Sequence, residues 1–245
     1  MIRNQIIVCK DKEELGKKAA EHYVALINTK PSCVIGLATG STPLPLYNEL
    51  IRLNREGVID FSKVHSVNLD EYKGLEPTHD QSYRYFMNDN LFDHINIDKA
   101  NTYVPDGLAE DIEASCMKYE EKIEELGGID IQLLGIGHDG HIGFNEPDTV
   151  FPKYTHETKL TEMTRDANKR FFDGDITKVP DAAVTMGIGT VMSARKIVFV
   201  ATGKDKAEIV KKSFFGPIDP QVPASALQMH QNVVVILDED AASLL

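Results

Sequence analysis

The amino-acid sequence predicts an α/β protein with one open, mostly parallel twisted sheet and helices on both faces, a Rossmann-like arrangement. Short apolar runs rich in β-branched residues recur along the 245 residues, and longer amphipathic stretches lie between them. Near-continuous apolar strands that alternate with helices indicate a parallel sheet covered on both faces. We find no repeat of fixed period and no Ser/Gly/Pro-rich linker, so we expect a single domain over residues 1–245.

The individual elements follow from the hydrophobic pattern and from residues that start or stop helices. We predict strands at 6–8, 33–38, 64–69, 130–136, 196–201 and 232–237. A helix is expected over 11–29, where Asp11 with Glu14 three residues later forms a capping pattern, and another over 110–128, which ends in glycines. The least regular region, 147–182, is typical of an insertion rather than of sheet, and we expect a lid over 151–181.

Composition limits the classes of partner. The chain has 26 Lys plus Arg against 38 Asp plus Glu, a net charge of -12, without a basic run of five residues. Nucleic acid and anionic membranes are therefore not expected partners. No apolar run approaches the roughly 20 residues of a membrane span, and the first residues do not resemble a secretion signal. Cys9, Cys33 and Cys116 are widely spaced, so we expect buried thiols and a cytoplasmic protein.

The stretch LLGIGHDGHIGFNEP, residues 133–147, contains glycines in the spacing G-x-G-x-x-G that is typical of dinucleotide-binding turns. In that motif the pyrophosphate binds at the N-terminus of a helix that begins immediately. No good helix follows here. The turn instead carries polar and titratable side chains, closed by a proline: Asp139, His141, Asn145, Glu146 and Pro147. We therefore reject a nicotinamide enzyme.

Ligands of open α/β sheets bind beyond the carboxyl ends of the strands. After the strand at 33–38 come Gly40, Ser41 and Thr42, whose N–H groups and hydroxyls could cradle an anion just before a helix. An ordinary Gly-Ser turn with a Thr cap is an equal alternative. The segment lacks the lysine of a P-loop, so a nucleoside triphosphate is not indicated.

Two acids, Asp70 and Glu71, directly follow the strand at 64–69. A carboxyl at the end of an apolar strand is partly desolvated, which raises its pKa and suits it to act as a base. A turn acid or a helix cap is the alternative for either residue.

The turn after the strand at 130–136 places His141 between two acids, Asp139 and Glu146. Such an imidazole is held in one tautomer and made more basic, as a proton carrier requires. The alternatives are a solvated loop and a metal site that uses His138 as well. We disfavour the metal because the sequence offers no further cluster of ligands.

Lys204 and Lys206 lie near the start of the helix that follows the strand at 196–201. Cations there oppose the helix dipole unless an anion is bound, which favours a substrate phosphate. Together, the strand ends offer an anion cradle, a base, a proton carrier and a lysine. That set suits proton abstraction next to a carbonyl in a phosphorylated sugar.

Five segments, in order and spread over nearly the whole chain, resemble the glucosamine-6-phosphate deaminase family: LATGSTP, NLDEYKGL, LLGIGHDGHIGFNEP, RDANKRFF and TMGIGTVMSARK through ATGKDKA. The resemblance implies an open α/β fold. It also implies conversion of glucosamine 6-phosphate and water to fructose 6-phosphate and ammonia, in amino sugar catabolism. No metal or organic cofactor is implied, and the expected partner is a phosphorylated amino sugar.

The resemblance also implies roles for individual residues. Asp70 would move a proton between C2 and C1, and His141 would open the pyranose ring with help from Asp139 and Glu146. The substrate-binding residues would be Gly40, Ser41, Thr42, Glu71, Arg170 and Lys206. The planar guanidinium of Arg suits bidentate phosphate binding.

Departures from the family pattern bear on regulation. Some family members are hexamers controlled by an N-acetylated sugar phosphate, which is bound in part by a pair of basic residues. This chain has His156 and Thr158 at the positions where that pair would be expected. The chain also ends at Leu245, soon after its last predicted strand. We therefore expect no such control and favour a monomer, with a homo-oligomer as the alternative. Pro45 replaces an expected glycine, and we expect it to stiffen the first helical turn without touching the chemistry.

Three other functions remain as alternatives. A 6-phosphogluconolactonase would share the fold and a D-G-H element. It would differ from this chain in the residues that follow D-G-H at 139–141 and in the residue that follows Asp70 and Glu71, which disfavours it. A galactosamine 6-phosphate deaminase differs by one epimeric hydroxyl that the sequence does not resolve. A non-catalytic sugar-phosphate sensor should carry a DNA-binding segment and need not keep Asp70, Asp139, His141 and Glu146.

Overall fold

The structure, a computed structural model, describes residues 5–245. Its strands are β1 (Gln5–Cys9), β2 (Val34–Leu37), β3 (His65–Asn68), β4 (Asp70–Tyr72), β5 (Thr102–Tyr103), β6 (Ile131–Leu134), β7 (His156–Lys159), β8 (Ala182–Thr185), β9 (Ile197–Ala201) and β10 (Val233–Asp238). Its α-helices are α1 (Lys12–Thr29), α2 (Leu44–Arg55), α3 (Tyr83–Asn90), α4 (Ile112–Glu125), α5 (Glu162–Asn168), α6 (Ile188–Met192) and α7 (Ala207–Phe215). Short 3-10 helices include Lys169–Phe171 and Lys204–Lys206.

Seven strands form one parallel sheet in the order β1-β10-β9-β6-β2-β3-β5. All six strands predicted from the sequence lie in this sheet. Every residue of β2, β6, β9 and β10 is buried, so both faces of the sheet are covered. The predicted fold class is confirmed.

A second, antiparallel sheet has the order β4-β8-β7. Strand β7 lies inside the region 147–182, so the prediction that this region lacks sheet was wrong at His156–Lys159. Its side chains alternate between half-buried and exposed, and the polar residues HETK carry little apolar signal for a strand. Strand β4 was also missed, because its three residues directly follow β3 with only Leu69 between them.

The two predicted helices are confirmed with slightly different ends. In α1, the Asp11 carboxylate accepts a hydrogen bond from the N–H of Glu14 at 2.8 Å. Helix α4 ends at Glu125, and Gly127 and Gly128 follow it in the left-handed conformation. The three cysteines are buried free thiols, as expected.

Buried apolar side chains form a large core around the parallel sheet and a smaller one beneath the small sheet. The smaller cluster consists of Tyr72, Phe144, Leu160, Phe172, Val179 and Ala183. It joins β4 to the region predicted as a lid. Among the helices of residues 5–245, none is both long and apolar enough to cross a membrane.

Candidate active site

A cavity of about 420 Å³ opens beyond the carboxyl ends of β2, β6 and β9, next to β4. Seven of the ten predicted catalytic and substrate-binding residues line it: Gly40, Ser41, Thr42, Asp70, His141, Arg170 and Lys206. A larger groove of about 1100 Å³ runs between α4 and β7 and contains none of the predicted site residues. The smaller cavity is the one that the chemistry points to.

Asp70 and Glu71 are neighbours in β4 with different surroundings. Asp70 is buried and lines the cavity. Burial, reinforced by the charge of Glu71, raises the pKa of Asp70 from 3.8 to about 8, although His141 opposes this rise. Glu71 does not line the cavity. Its carboxylate accepts hydrogen bonds from the backbone N–H groups of Tyr72, Tyr83 and Arg84 at 2.8, 2.9 and 2.9 Å.

The different surroundings follow from the alternation of side chains along a strand. Asp70 and Tyr72 line the cavity, whereas Glu71 binds the start of α3. Glu71 therefore acts on α3, which in turn supplies Tyr83 and Phe86 to the cavity wall. This division could not be inferred from the sequence, because β4 itself was not predicted.

His141 is paired with two acids behind the cavity wall. Its Nδ1 lies 2.7 Å from an Asp139 oxygen and 3.6 Å from a Glu146 oxygen. Burial lowers the pKa of His141, but Asp139 and Glu146 outweigh this effect and raise it from 6.5 to about 9. Burial by itself would raise the pKa of the Asp139 carboxyl, but its pairing with His141 outweighs burial and holds that pKa below its ordinary value.

The glycines of the loop at 135–147, here called the catalytic loop, make room for this arrangement. A Cβ atom on Gly137 would lie 2.1 Å from Cε1 of His141, so the imidazole occupies the space that a side chain would need. Gly143 has a φ of +60°, and a Cβ there would lie 2.7 Å from the Thr185 hydroxyl. The G-x-G-x-x-G spacing thus admits a histidine.

Contacts with β8 hold the catalytic loop against the small sheet. The N–H of Phe144 donates to the Thr185 hydroxyl at 3.0 Å. The Asn145 amide donates to the carbonyl of Met186 at 2.8 Å. Because Thr185 is the register partner of Asp70, β8 fixes Asp70 and the loop of His141 relative to one another.

A glycine turn and two cationic side chains line another part of the same cavity. Gly40 has a φ of +96°, and the turn that it forms leads into α2. Lys206 directly precedes α7, and burial lowers its pKa from 10.5. The Arg170 guanidinium is exposed and stacks 4.7 Å from the centre of the Phe171 ring. Lys204 does not line this cavity.

The predicted lid region contributes residues that the sequence analysis did not single out. The Thr164 hydroxyl donates to Glu146 at 2.6 Å, and the Asn168 amide donates to the Tyr72 hydroxyl at 2.9 Å. Both residues line the cavity. Their only signal in the sequence was the family-like segment RDANKRFF, which contains Asn168 and directly follows Thr164.

The metal alternative required His138 beside His141. His138 instead pairs with Asp205, its Nε2 lying 2.8 Å from the carboxylate. Asp139, His141 and Glu146 do offer three ligand atoms within 4.8 Å of one another. A metal ion there would have to displace the proton from an imidazole whose pKa is raised to about 9, which weakens binding near neutral pH.

The chain matches the family model described as glucosamine-6-phosphate isomerases/6-phosphogluconolactonase over residues 10–236. A glucosamine-6-phosphate deaminase of Clostridium perfringens is 56% identical over 241 residues, covering 98% of this chain and 99% of the relative. One of Clostridioides difficile is 51% identical, covering 98% and 96%.

Solved structures agree with these relatives. A structure described as a monomeric glucosamine-6-phosphate deaminase has a TM-score of 0.95 at 46% identity, covering 98% of this chain and all of that one. A 6-phosphogluconolactonase of Thermotoga maritima shares the fold, with a TM-score of 0.77 at 22% identity over 96% of this chain and all of that one. By its sequence and its fold, the chain belongs to the glucosamine-6-phosphate isomerase/6-phosphogluconolactonase family.

Proposed function

We propose that the chain converts glucosamine 6-phosphate and water to fructose 6-phosphate and ammonia. One observation carries the proposal: Asp70 and the paired His141 line the same cavity as Arg170 and Lys206. The cavity therefore offers a base, a proton carrier and a phosphate site at once. Relatives more than 50% identical over nearly the whole chain are named glucosamine-6-phosphate deaminases, which supports the same reaction.

The substrate phosphate binds at the cationic side of the cavity. Backbone N–H groups and hydroxyls of Gly40, Ser41 and Thr42 face it there, and Lys206 and Arg170 balance its charge. Lys206 is partly desolvated, so a bound dianion restores the environment in which an ammonium is stable. Arg170 is supplied by the predicted lid, residues 151–181, and closure of this lid over the phosphate is part of the proposal.

Ring opening is the first chemical step and needs a proton on the ring oxygen. His141, protonated because Asp139 and Glu146 flank it, donates this proton and later takes one from the anomeric hydroxyl. The product of the step is the open-chain amino aldose. Asp139 and Glu146 stabilise the imidazolium before it donates its proton and after it is protonated again.

Isomerisation then moves a proton from C2 to C1. The Asp70 carboxylate removes the C2 proton while the protonated His141 donates one to the aldehyde oxygen O1, giving an enol-amine. Asp70 then returns its proton to C1, which leaves a protonated imine at C2, and His141 regains its proton when water adds and ammonia leaves. Water adds to this imine and ammonia leaves, giving the ketone of fructose 6-phosphate. A carboxyl with a pKa of about 8 can both accept and release the proton near neutral pH.

The proposal extends to the organisation of the protein. Residues 1–245 act as one catalytic domain, and the chain works as a monomer, like the relative described as monomeric. Three buried free thiols fit a reducing compartment, which supports the expectation that the protein works in the cytoplasm.

The test measures ammonia and fructose 6-phosphate together from glucosamine 6-phosphate. We expect both in equal amounts, with loss of both in Asp70→Asn. Galactosamine 6-phosphate and 6-phosphogluconolactone serve as parallel substrates. Absence of ammonia and fructose 6-phosphate from glucosamine 6-phosphate would overturn the proposal, and activity on either parallel substrate would then identify the alternative.

A further inference from the structure

Helix α5 contacts Glu146, one of the two acids beside His141, through one hydroxyl. The Thr164 side chain is buried, and its Oγ1 donates to Oε1 of Glu146 at 2.6 Å. The other oxygen of the same carboxylate, Oε2, points towards Nδ1 of His141 at 3.6 Å. Glu146 therefore spans the gap between α5 and the imidazole, with one oxygen on each side.

Weaker contacts surround this hydrogen bond. The N–H and the hydroxyl of Thr161 lie 3.4 Å from Oε1 of Glu146, close to the limit for a hydrogen bond. Thr161 also caps α5 by accepting from the N–H of Thr164. Thr164 thus provides the short hydrogen bond that fixes the Glu146 carboxylate, because the others are long.

The same helix contacts the strand of the base. Asn168 lies four residues after Thr164, on the same face of α5, and donates to the hydroxyl of Tyr72 in β4. Helix α5 is therefore attached at one end to the acid that pairs with His141. At its other end it is attached to the strand that carries Asp70.

We propose that Thr164 is a positioning residue: it holds Glu146 against His141, so that the place of α5 decides how closely the imidazole is paired. The inference rests on the proposed function. It adds a physical link between the predicted lid and the proton carrier. When α5 moves away, Glu146 loses its short hydrogen bond and turns from the imidazole.

Charged groups from several elements face this part of the site. Asp139 and Glu146 belong to the catalytic loop, Asp70 to β4, Lys206 to the start of α7 and Arg170 to the lid. Of these five, Glu146 is the one that is hydrogen-bonded to α5 within residues 5–245. Loss of the Thr164 hydroxyl should therefore act on His141 through Glu146, while Asp139 keeps its 2.7 Å contact.

The experiment measures the pH titration of the His141 imidazole by NMR in the free protein, with its signals assigned from a His141→Gln variant. In Thr164→Val, which removes the hydroxyl and keeps the volume, we expect the midpoint to fall by about one pH unit. Thr164→Ser should restore it. The basic limb of kcat/KM should shift by the same amount, with less change in KM.

The chain offers a matched control. The Thr155 hydroxyl donates to Glu120 at 2.5 Å, and this residue is buried like Thr164. Thr155→Val removes a comparable Thr–Glu hydrogen bond near the other groove, so the midpoint of His141 should stay at its wild-type value. If Thr164→Val does not fold, Thr164→Ala replaces it.

An unchanged His141 midpoint in Thr164→Val, or in Thr164→Ala where that variant replaces it, would overturn the inference, and so would an equal shift in Thr155→Val. A double variant gives a further check. In a Glu146→Gln background, Thr164→Val should shift the midpoint no further, because the carboxylate charge is already absent. The titration needs no substrate, so a protein that shows the shift but does not turn over glucosamine 6-phosphate would refute the proposed function alone.

Discussion

Gly137→Ala should displace the His141 imidazole without replacing any residue proposed to take part in the reaction. The added Cβ would lie 2.1 Å from Cε1 of His141 and 2.4 Å from both ring nitrogens. Since carbon atoms pack at about 3.5 Å or more, the ring has to retreat by about 1.4 Å. A misplacement of about 1 Å costs on the order of 100-fold in rate, or about 3 kcal/mol in the barrier. We expect kcat to fall by at least about 100-fold.

The assay is steady-state release of ammonia, with urea unfolding to show that the variant is folded. Gly135→Ala is the matched control, because a Cβ at Gly135 would meet nothing within 4 Å. Gly135 also borders the cavity, so this variant tests whether an added methyl group in the loop is enough by itself to lower kcat. If both variants keep kcat within about threefold of wild type, the glycine at 137 does not serve the imidazole and the reasoning fails.

Three further predictions follow from the same site. The pH profile of kcat/KM should rise as Asp70 loses its proton near pH 8 and fall as His141 loses its proton near pH 9, so a flat profile between pH 7 and 10 would contradict both roles. Asp70→Asn should abolish turnover yet become increasingly more stable than wild type as pH rises. The folded pKa of Asp70, about 8, lies above its ordinary 3.8, so the wild-type protein loses stability as the pH rises from 3.8 to about 8. Between pH 4.5 and 8.5, urea unfolding should show the free energy of unfolding of the variant gaining roughly 2 kcal/mol or more on that of the wild type. No such gain would refute the burial of this charge. Glu71→Gln should cost about 1 to 2 kcal/mol in urea unfolding, because an amide nitrogen replaces an acceptor of backbone N–H groups, while a change confined to KM would instead favour direct substrate contact.

The sequence predicted the parallel sheet well because its strands are buried on both faces. A strand such as β9, with five buried residues in five, reads as an uninterrupted apolar run. Strand β7, with its polar pattern, gives no such signal. The short β4 is formed by the very acids that were expected to follow the end of a strand. Strands of this kind are specified by their pairing partners, which the local sequence does not contain.

The places of the candidate site residues were easier to predict from the sequence than the contacts that support them. Residues at the ends of apolar runs, such as Asp70, can be placed at one edge of the sheet from the sequence pattern alone. The direction of Glu71, away from the cavity and towards α3, and the contact between Thr164 and Glu146 cannot be predicted in this way. Both depend on where a side chain points after distant segments have packed, and the catalytic loop and α5 are 15 or more residues apart.

The pairing of β4 with β8 decides which of the two adjacent acids faces the cavity. A slip of one residue in this register would exchange their faces, turning Glu71 into the cavity and Asp70 towards the backbone of α3. Insertions or deletions between β3 and β8 are therefore compatible with activity only where they leave this register intact. Variation in loop length should collect outside residues 70–72 and 183–185, and an alignment that shifts the acids by one position would exchange a base for a helix cap.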